Sequence, residues 1–257
     1  AERVERMRDP AFKAQVLTVT SEPMAGDGTS VPPIADALLD AVDFVASKTF
    51  RLCENPDYEQ TADTSVLQMA KDKGVPTLEM IYDLMRENDG EELLYFPIYN
   101  YTEMSYDNVY KMMQHPQSIM GLSDGGAHVG TVCDSSFPTY LLSYWTRDRV
   151  RGERLELADA VRRLTSDIAD YCGMTDRGRI RVGLKANLNV IDHQGLRLYP
   201  PHMVQDLPAG GQRLLQEAEG YDAVIVAGEI VLENDQLTGN YPGRLVRMGQ
   251  LEQRAAA

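Results

Sequence analysis

Apolar residues recur at helical spacing in several stretches of the chain, with polar residues between them. Spacing of three and four residues places the apolar side chains on one face of a helix. The stretches that predict helices are residues 34–45, 65–73, 76–86, 106–114, 138–145 and 156–171. Ser105 is suited to cap the fourth of these helices, and Gly74 and Gly173 follow two others where a left-handed C-terminal cap is favoured.

Short apolar runs bounded by turn-forming residues predict strands. These runs are residues 93–98, 118–122, 187–192, 223–227, 230–233 and 243–247. The first two flank a predicted helix, and strand, helix, strand at this spacing predicts a βαβ unit with a parallel sheet. Gly228 lies between two later runs and predicts a hairpin. Residues 193–220 are expected to form an irregular connection.

This order of elements predicts an α/β fold in two parts. Residues 1–183 form an α/β domain, and residues 184–257 form a small β-sandwich-type domain. The chain starts at Ala1 inside a charged stretch, so a truncated chain is expected, although removal of an initiator Met would also leave Ala at the start.

Charge and cysteine usage narrow the classes of function. The net charge is −14 and the sequence pI is about 4.7, which argues against nucleic acid as a partner because such binding needs a positive surface. No segment approaches the ~18 apolar residues of a membrane span, and no signal peptide is visible. Three widely spaced cysteines do not fit a disulfide framework, so a cytoplasmic location is expected.

The segment GLSDGGAHVG, residues 121–130, is the sharpest candidate for a site. It places Asp124 at the carboxyl end of a predicted strand, where active sites form in parallel α/β sheets and barrels. Asp124 could move a proton or bind a metal, and the glycines allow a ligand to approach. Alternatively, Asp124 caps the turn through neighbouring N–H groups and His128 is a structural histidine.

Other residues are weaker candidates. Asn100 and Tyr101 follow the predicted strand 93–98 and could line the same pocket, although a tyrosine there could equally pack in the core. Cys133 has no positive neighbour in sequence that would lower its pKa. The four histidines form no HxH, HxxxH or HExxH pair, and Ser123 lies in no GxSxG elbow, so neither a zinc motif nor a serine hydrolase is indicated.

These segments resemble the C-terminal half of the N-acyl-D-amino-acid deacylases, the D-aminoacylase branch of the amidohydrolase superfamily. The similar segments are DPAF at 9–12, MAKDKGVPTLEMIYDL, HPQSIMGLSDGGAHVG at 115–130, CDSSFPTYLLSYW at 133–145, LTSDIADYCGMTDRGRIRVGLKANLNVID at 164–192, VQDLPAGG at 204–211 and VAGEIVLENDQLTGNYPGRLVR at 226–247. The resemblance covers most of the chain.

The resemblance implies a metal-dependent (β/α)8 (TIM) barrel followed by a small β domain, and hydrolysis of an amide by zinc-bound water. Asp124 matches the carboxylate that takes the proton of this water and passes it to the leaving amine. Ser123, Gly125, His128, Asn100 and Tyr101 are then expected to contact the substrate, an N-acyl amino acid or another amide.

The first departure from the family pattern is that the metal ligands and part of the barrel are missing. The family's HxH pair and its other metal ligands are not found here, so Asp124 is the only possible ligand. In addition, the segment 1–183 is shorter than a complete barrel, which takes about 250 residues. A truncated chain that pairs with a missing N-terminal half or with another copy is therefore expected, because exposed strand edges favour such pairing.

The second departure concerns the substrate. Residues 125–146 contain no Arg or Lys, and the first basic residue after Asp124 is Arg147. Arg commonly binds a carboxylate through two hydrogen bonds, and no Arg is available here. The substrate could therefore be a neutral amide or a cyclic ureide instead of an N-acyl amino acid. Two alternatives to a hydrolase remain: a non-catalytic subunit that acts by association, and a metal-free ligand-binding domain.

Overall fold

The structure, a computed structural model, describes residues 2–19, 41–121, 123–126 and 128–246. The chain divides into two compact units, residues 1–106 and residues 107–257. The domain boundary predicted after residue 183 lies inside the second unit, and the assignment of domains stays a prediction.

The first unit contains five short α-helices among its described residues. They are α1 (Glu2–Arg8), α2 (Pro10–Val16), α3 (Val42–Ala46), α4 (Val66–Lys73) and α5 (Thr77–Met85). The predicted helices 65–73 and 76–86 are confirmed as α4 and α5. Ser65 caps α4 by accepting a hydrogen bond from the Gln68 N–H, and Gly74 ends it at a φ of 66°. Most of the helix predicted over 34–45 lies outside the described residues.

The periodic apolar positions of these helices form the core of the first unit. Ala46, Val66, Ala70, Met80 and Leu84 are at most 1% exposed and pack together. A second group of buried or half-buried aromatic residues is linked to Phe50 through a chain of ring contacts. It consists of Tyr58, Tyr95, Tyr101 and Tyr106.

The predicted βαβ unit is wrong for the described residues. The run 93–98 contains β2 (Leu94–Tyr95), which pairs antiparallel with β1 (Phe50–Arg51). Residues 118–121 form no strand, and Leu122 lies outside the described residues. Ile119 is 45% exposed, so this run is not a buried strand. A short apolar run is compatible with a strand, but a strand also needs a partner from elsewhere in the chain, which periodicity cannot supply.

The second unit begins with helices. They are α6 (Asp107–Gln114), α7 (Phe137–Ser143), a π-helical turn (Tyr144–Asp148), α8 (Leu157–Leu164) and α9 (Ser166–Tyr171). The predicted helix 106–114 is confirmed as α6. The single helix predicted over 156–171 is interrupted at Thr165, whose φ is −125° and ψ −85°. The Thr165 hydroxyl donates to the carbonyl of Val161 at 2.6 Å, a local bond that competes with the helix ladder.

Strands complete the second unit. They are β3 (Leu188–Ile191), β4 (Arg197–Leu198), β5 (His202–Leu207), β6 (Gly211–Leu215), β7 (Ala218–Glu219), β8 (Tyr221–Val226), β9 (Glu229–Glu233) and β10 (Gln236–Leu237). An antiparallel sheet has the order β10-β9-β8-β3, and the pairs β5-β6 and β4-β7 stand beside it. The predicted hairpin is confirmed as β8-β9, with φ of 53° at Ala227 and 88° at Gly228.

Two predictions for this region are wrong. Residues 193–220 are not an irregular connection, because they contain the β5-β6 hairpin and the β4-β7 pair. Residues 243–246 form no strand, and Arg247 lies outside the described residues. The described helices include none with both the length and the apolar character needed to cross a membrane.

Candidate functional site

Asp124 lies in a tight turn that leaves its carboxylate exposed. The turn covers residues 123–126, with Gly126 at a φ of 95°. The Ser123 hydroxyl oxygen accepts the hydrogen bond of the Gly125 N–H at 3.2 Å. Ser123 therefore stabilises the turn, and the carboxylate of Asp124 accepts no hydrogen bond from the described residues. This geometry disfavours a capping role for Asp124 and leaves its oxygens available for proton transfer.

Gly125 is required by close packing. A Cβ atom at this position would lie 2.8 Å from the Cβ and 3.1 Å from the Cα of Ser135. The turn therefore packs on the segment that contains Ser135, and Asp134 and Asp124 flank this contact on the two segments. Gly125 is better explained by this contact than by the approach of a substrate, although its predicted role in substrate binding is untested.

Asp134 is a neighbour of Asp124 that sequence reasoning did not identify. Loss of hydration raises the pKa of its carboxyl above the ordinary value of 3.8, and the charge of Asp124 raises it further. The two carboxylates therefore create a negative local potential. Burial also raises the pKa of the Cys133 thiol, and Asp134 adds to the shift. The raised pKa favours the protonated, unreactive thiol of Cys133 over the thiolate. This agrees with the absence of a positive neighbour in the sequence.

Replacing Asp124 with Asn should lower the pKa of Asp134. The substitution removes the negative charge that raises this pKa but leaves the loss of hydration in place, so the value should stay above 3.8. Carboxyl carbon chemical shifts followed by NMR through a pH titration measure the change. An unchanged pKa of Asp134 would show that the two carboxylates are too far apart to interact.

His128 contributes its backbone to the same loop. Its carbonyl accepts hydrogen bonds from the N–H groups of Thr131 and Val132 at 2.8 and 3.1 Å, and its φ is 46°. The residue is exposed. These bonds support the structural interpretation of His128 and do not test its predicted contact with substrate.

The β5-β6 hairpin holds the loop in place. The Leu214 N–H, at the end of β6, donates to the Val129 carbonyl at 2.7 Å, and the Ser136 hydroxyl donates to the Gln216 side chain at 2.5 Å. Sequence reasoning placed residues 193–220 in an irregular connection, and no local pattern in that region signals these long-range bonds.

Asn100 and Tyr101 belong to the first unit. Asn100 is exposed and has a φ of 61°. Tyr101 is only 2% exposed, and its hydroxyl donates to the Gln60 carbonyl. Its ring lies edge-on to Phe50 at 6.4 Å between centroids. These contacts favour the packing role that the sequence left open for Tyr101.

Arg147 is fully engaged in structural bonds. Its guanidinium donates to the carbonyls of His193, Gln194 and Leu196 and forms an ion pair with Asp148. The guanidinium of Arg213, next to Leu214 in β6, is likewise held by both carboxylate oxygens of Asp206. Neither cation is therefore available as a ligand for a substrate carboxylate.

The described residues do not by themselves form a metal site. Within the described ranges, no group of three or more His, Cys, Asp or Glu side chains is arranged to hold a metal ion. Asp124 also lines neither of two cavities found in the described chain, of about 360 and 350 Å³. A metal near Asp124 would need ligands other than the described residues, from this polypeptide or from an associated one.

Known proteins with similar sequences were identified. A model of the amidohydrolase family matches residues 57–232, well over half of the chain. An uncharacterized protein of Mycobacterium bovis is 27% identical over 207 residues, which cover 71% of this chain and 32% of that protein. Uncharacterized proteins from two strains of Mycobacterium tuberculosis match to the same extent. The chain thus spans about a third of the length of the curated relatives it matches.

Two solved structures resemble the fold weakly. One is a D-aminoacylase mutant in complex with CuCl2, with 21% identity, a TM-score of 0.41, and coverage of 79% of this chain and 38% of that chain. The other is a D-aminoacylase whose structure defines a novel subset of amidohydrolases, with 22% identity, a TM-score of 0.39, and coverage of 76% and 37%.

Proposed function

The chain belongs to the amidohydrolase family, and we propose that it carries the proton-transfer carboxylate of an enzyme that hydrolyses non-peptide C–N amide bonds. The family supports hydrolysis, and the sequence resemblance points to the N-acyl-D-amino-acid deacylase branch. The observation that carries the proposal is the geometry of Asp124, whose carboxylate is exposed in a turn. The Gly125 N–H of this turn donates to the Ser123 hydroxyl oxygen and not to Asp124.

The chemistry assigned to this chain is proton transfer by Asp124. The ionised carboxylate accepts a proton from a water molecule while the oxygen of this water attacks the acyl carbonyl carbon. The same group, now protonated, donates to the amine nitrogen as the C–N bond breaks. The products are a carboxylic acid and an amine, and Asp124 returns to its ionised form.

The proposal includes a metal ion because the family that the sequence resembles is metal-dependent. Zinc would supply Lewis-acid activation of the water when it is bound. The described residues do not form its ligand set, so its ligands would come from residues outside them, in this polypeptide or an associated one.

The charges around Asp124 favour a neutral amide substrate. Residues 125–146 contain no Arg or Lys, Arg147 and Arg213 are engaged in other bonds, and Asp124 and Asp134 make the local potential negative. A substrate carboxylate beside the scissile bond would be repelled unless a cation from elsewhere compensates. A simple N-acyl amide or a cyclic ureide meets this condition better than an N-acyl amino acid.

A metal-dependent assay tests the proposal. The native protein that carries this sequence is incubated with a panel of N-acyl-D-amino acids, their carboxamides and cyclic ureides, and release of amine is measured. We expect hydrolysis that a chelator abolishes and added zinc restores, with higher kcat/KM for the uncharged substrates. Absence of hydrolysis across the panel in zinc-loaded protein would refute the proposal. Preference for the free acids would refute only the neutral substrate class.

A further inference from the structure

The second unit contains a cavity of about 350 Å³ whose wall does not include Asp124. The end of α9 and the segment that follows this helix form the wall. Among the described residues, three arginines line the cavity together with one acid; they are Arg177, Arg179, Arg181 and Asp170. This wall is positive although the chain as a whole has a net charge of −14.

Packing and backbone hydrogen bonds hold this segment against α9. The Met174 N–H donates to the Ala169 carbonyl at 2.7 Å, and the Lys185 N–H donates to the Asp176 carbonyl at 2.9 Å. A Cβ atom at Gly178 would lie 2.5 Å from the Cβ of Ala169, so the chain passes very close to the helix at this point. The segment from Asp176 to Lys185 is therefore a closed loop fixed on the end of α9.

The side chains of this loop alternate between the cavity and solvent. Arg179 lines the cavity, and its two Nη atoms donate to the two carboxylate oxygens of Asp170, another lining residue, at 2.8 and 2.6 Å. Arg181 also lines the cavity. Ile180 and Val182 do not line it and are almost fully exposed. Arg181 therefore lies on the same side of the loop as Arg179, the side that faces the cavity.

The acids around the cavity are fewer than its cations. Asp176 is shared by two cations, because Arg177 Nε and Lys185 Nζ each lie 2.8 Å from its carboxylate. Asp167 belongs to a neighbouring group of two acids and two cations, in which it pairs with Arg162. The cavity arginines and their ion-pair partners comprise four cations and two acids, namely Arg177, Arg179, Arg181 and Lys185 with Asp170 and Asp176.

Arg181 provides an uncompensated charge of this group. Its side chain is exposed and forms no ion pair or hydrogen bond with the described part of the chain. A guanidinium carries its donors in a planar fork that matches the two oxygens of a carboxylate. The cavity therefore offers one complete fork to an anionic ligand.

The remainder of the cavity wall is partly apolar. Ala169 is 4% exposed, and Met174 and Leu184 are half-buried. These three side chains give a ligand apolar surface beside the arginines. Burial of each methylene group of a ligand on such a surface favours binding.

We propose that this cavity binds a small carboxylate with a short aliphatic chain. Arg181 forms paired hydrogen bonds with the carboxylate, and the apolar side chains cover the aliphatic chain. A single uncommitted guanidinium suits a monoanion better than a phosphate dianion. The cavity volume falls at the small end of the range for small-molecule sites, which suits a ligand of few carbons. The site uses none of the residues assigned to amide hydrolysis, so the two proposals stand or fall separately.

NMR titration of the isotope-labelled full chain with hexanoate, at an ionic strength held constant with sodium chloride, tests the proposal. We expect saturable shifts of the backbone amide signals of residues 169–184. Acetate, which lacks the apolar chain, and hexanamide, which lacks the charge, should bind about fivefold more weakly. Binding of hexanamide or of inorganic phosphate as tight as that of hexanoate would overturn the proposal, as would absence of saturable shifts in this segment.

Arg181→Gln should raise the Kd for hexanoate about fivefold. Arg244→Gln is the matched control, because Arg244 is also exposed in the second unit and forms no ion pair with a described residue, but does not line the cavity. Its Kd should change less than twofold. Equal weakening by the two substitutions would reduce the effect to diffuse attraction and overturn the proposal, as would an unchanged Kd in Arg181→Gln. The amide spectrum of each variant verifies that it is folded.

Discussion

Asp124→Asn is expected to lower kcat for amide hydrolysis about 10²- to 10⁴-fold, the usual contribution of a positioned general acid–base group. The amide of Asn keeps the shape of the side chain but cannot accept a proton from water. The turn should survive, because the Ser123 hydroxyl and the Gly125 N–H form its hydrogen bond and Asp124 contributes none. KM should change little, since the loss falls on the chemical step.

Asp222→Asn provides the matched control for this experiment. Asp222 is exposed in β8 of the same unit, and the substitution makes the same change of charge away from the Asp124 turn. Steady-state assays of both variants, with folding verified by circular dichroism, separate a specific effect from a general one. Retention of kcat within about threefold in Asp124→Asn would remove Asp124 from the mechanism.

Arg149→Met is expected to lower the free energy of unfolding of the second unit by about 3 kcal/mol. The Arg149 side chain is fully buried; its guanidinium pairs with Asp107 at 2.7 Å and donates to the Glu153 carbonyl at 2.6 Å. It also lies 4.8 Å from the centre of the Trp145 ring. Methionine fills part of the volume but removes the buried guanidinium, so the Glu153 carbonyl and the Asp107 carboxylate lose this donor.

Urea unfolding followed by tryptophan fluorescence measures this change in the relevant unit. Trp145 is the single tryptophan of the chain, is 4% exposed, and contacts the guanidinium of Arg149. Arg181→Met makes the same substitution at an exposed position of the same unit and should change stability by no more than about 0.5 kcal/mol. Equal midpoints for the two variants would show that the buried guanidinium contributes nothing specific.

The local sequence was sufficient for the elements whose signals are local. Ser65 and Gly74 mark both ends of α4, and Gly228 marks the turn between β8 and β9, because caps and tight turns depend on the backbone preferences of a few neighbouring residues. The same reasoning missed the break at Thr165. A threonine is compatible with a helix, and only its bond to the Val161 carbonyl shows which alternative is realised.

The sequence by itself determined the acidic charge, most of the helices, the β8-β9 hairpin and the choice of Asp124 as the candidate acid–base residue. Only the tertiary structure decided which residues surround it: Asp134 through the contact of Gly125 with Ser135, and the β5-β6 hairpin through Val129. It also showed that Arg147 is engaged in bonds to backbone carbonyls. The physical reason is that helix period and turn preference act over a few residues, whereas hydrogen-bond partners, loss of hydration and electrostatic neighbours depend on segments far apart in the chain.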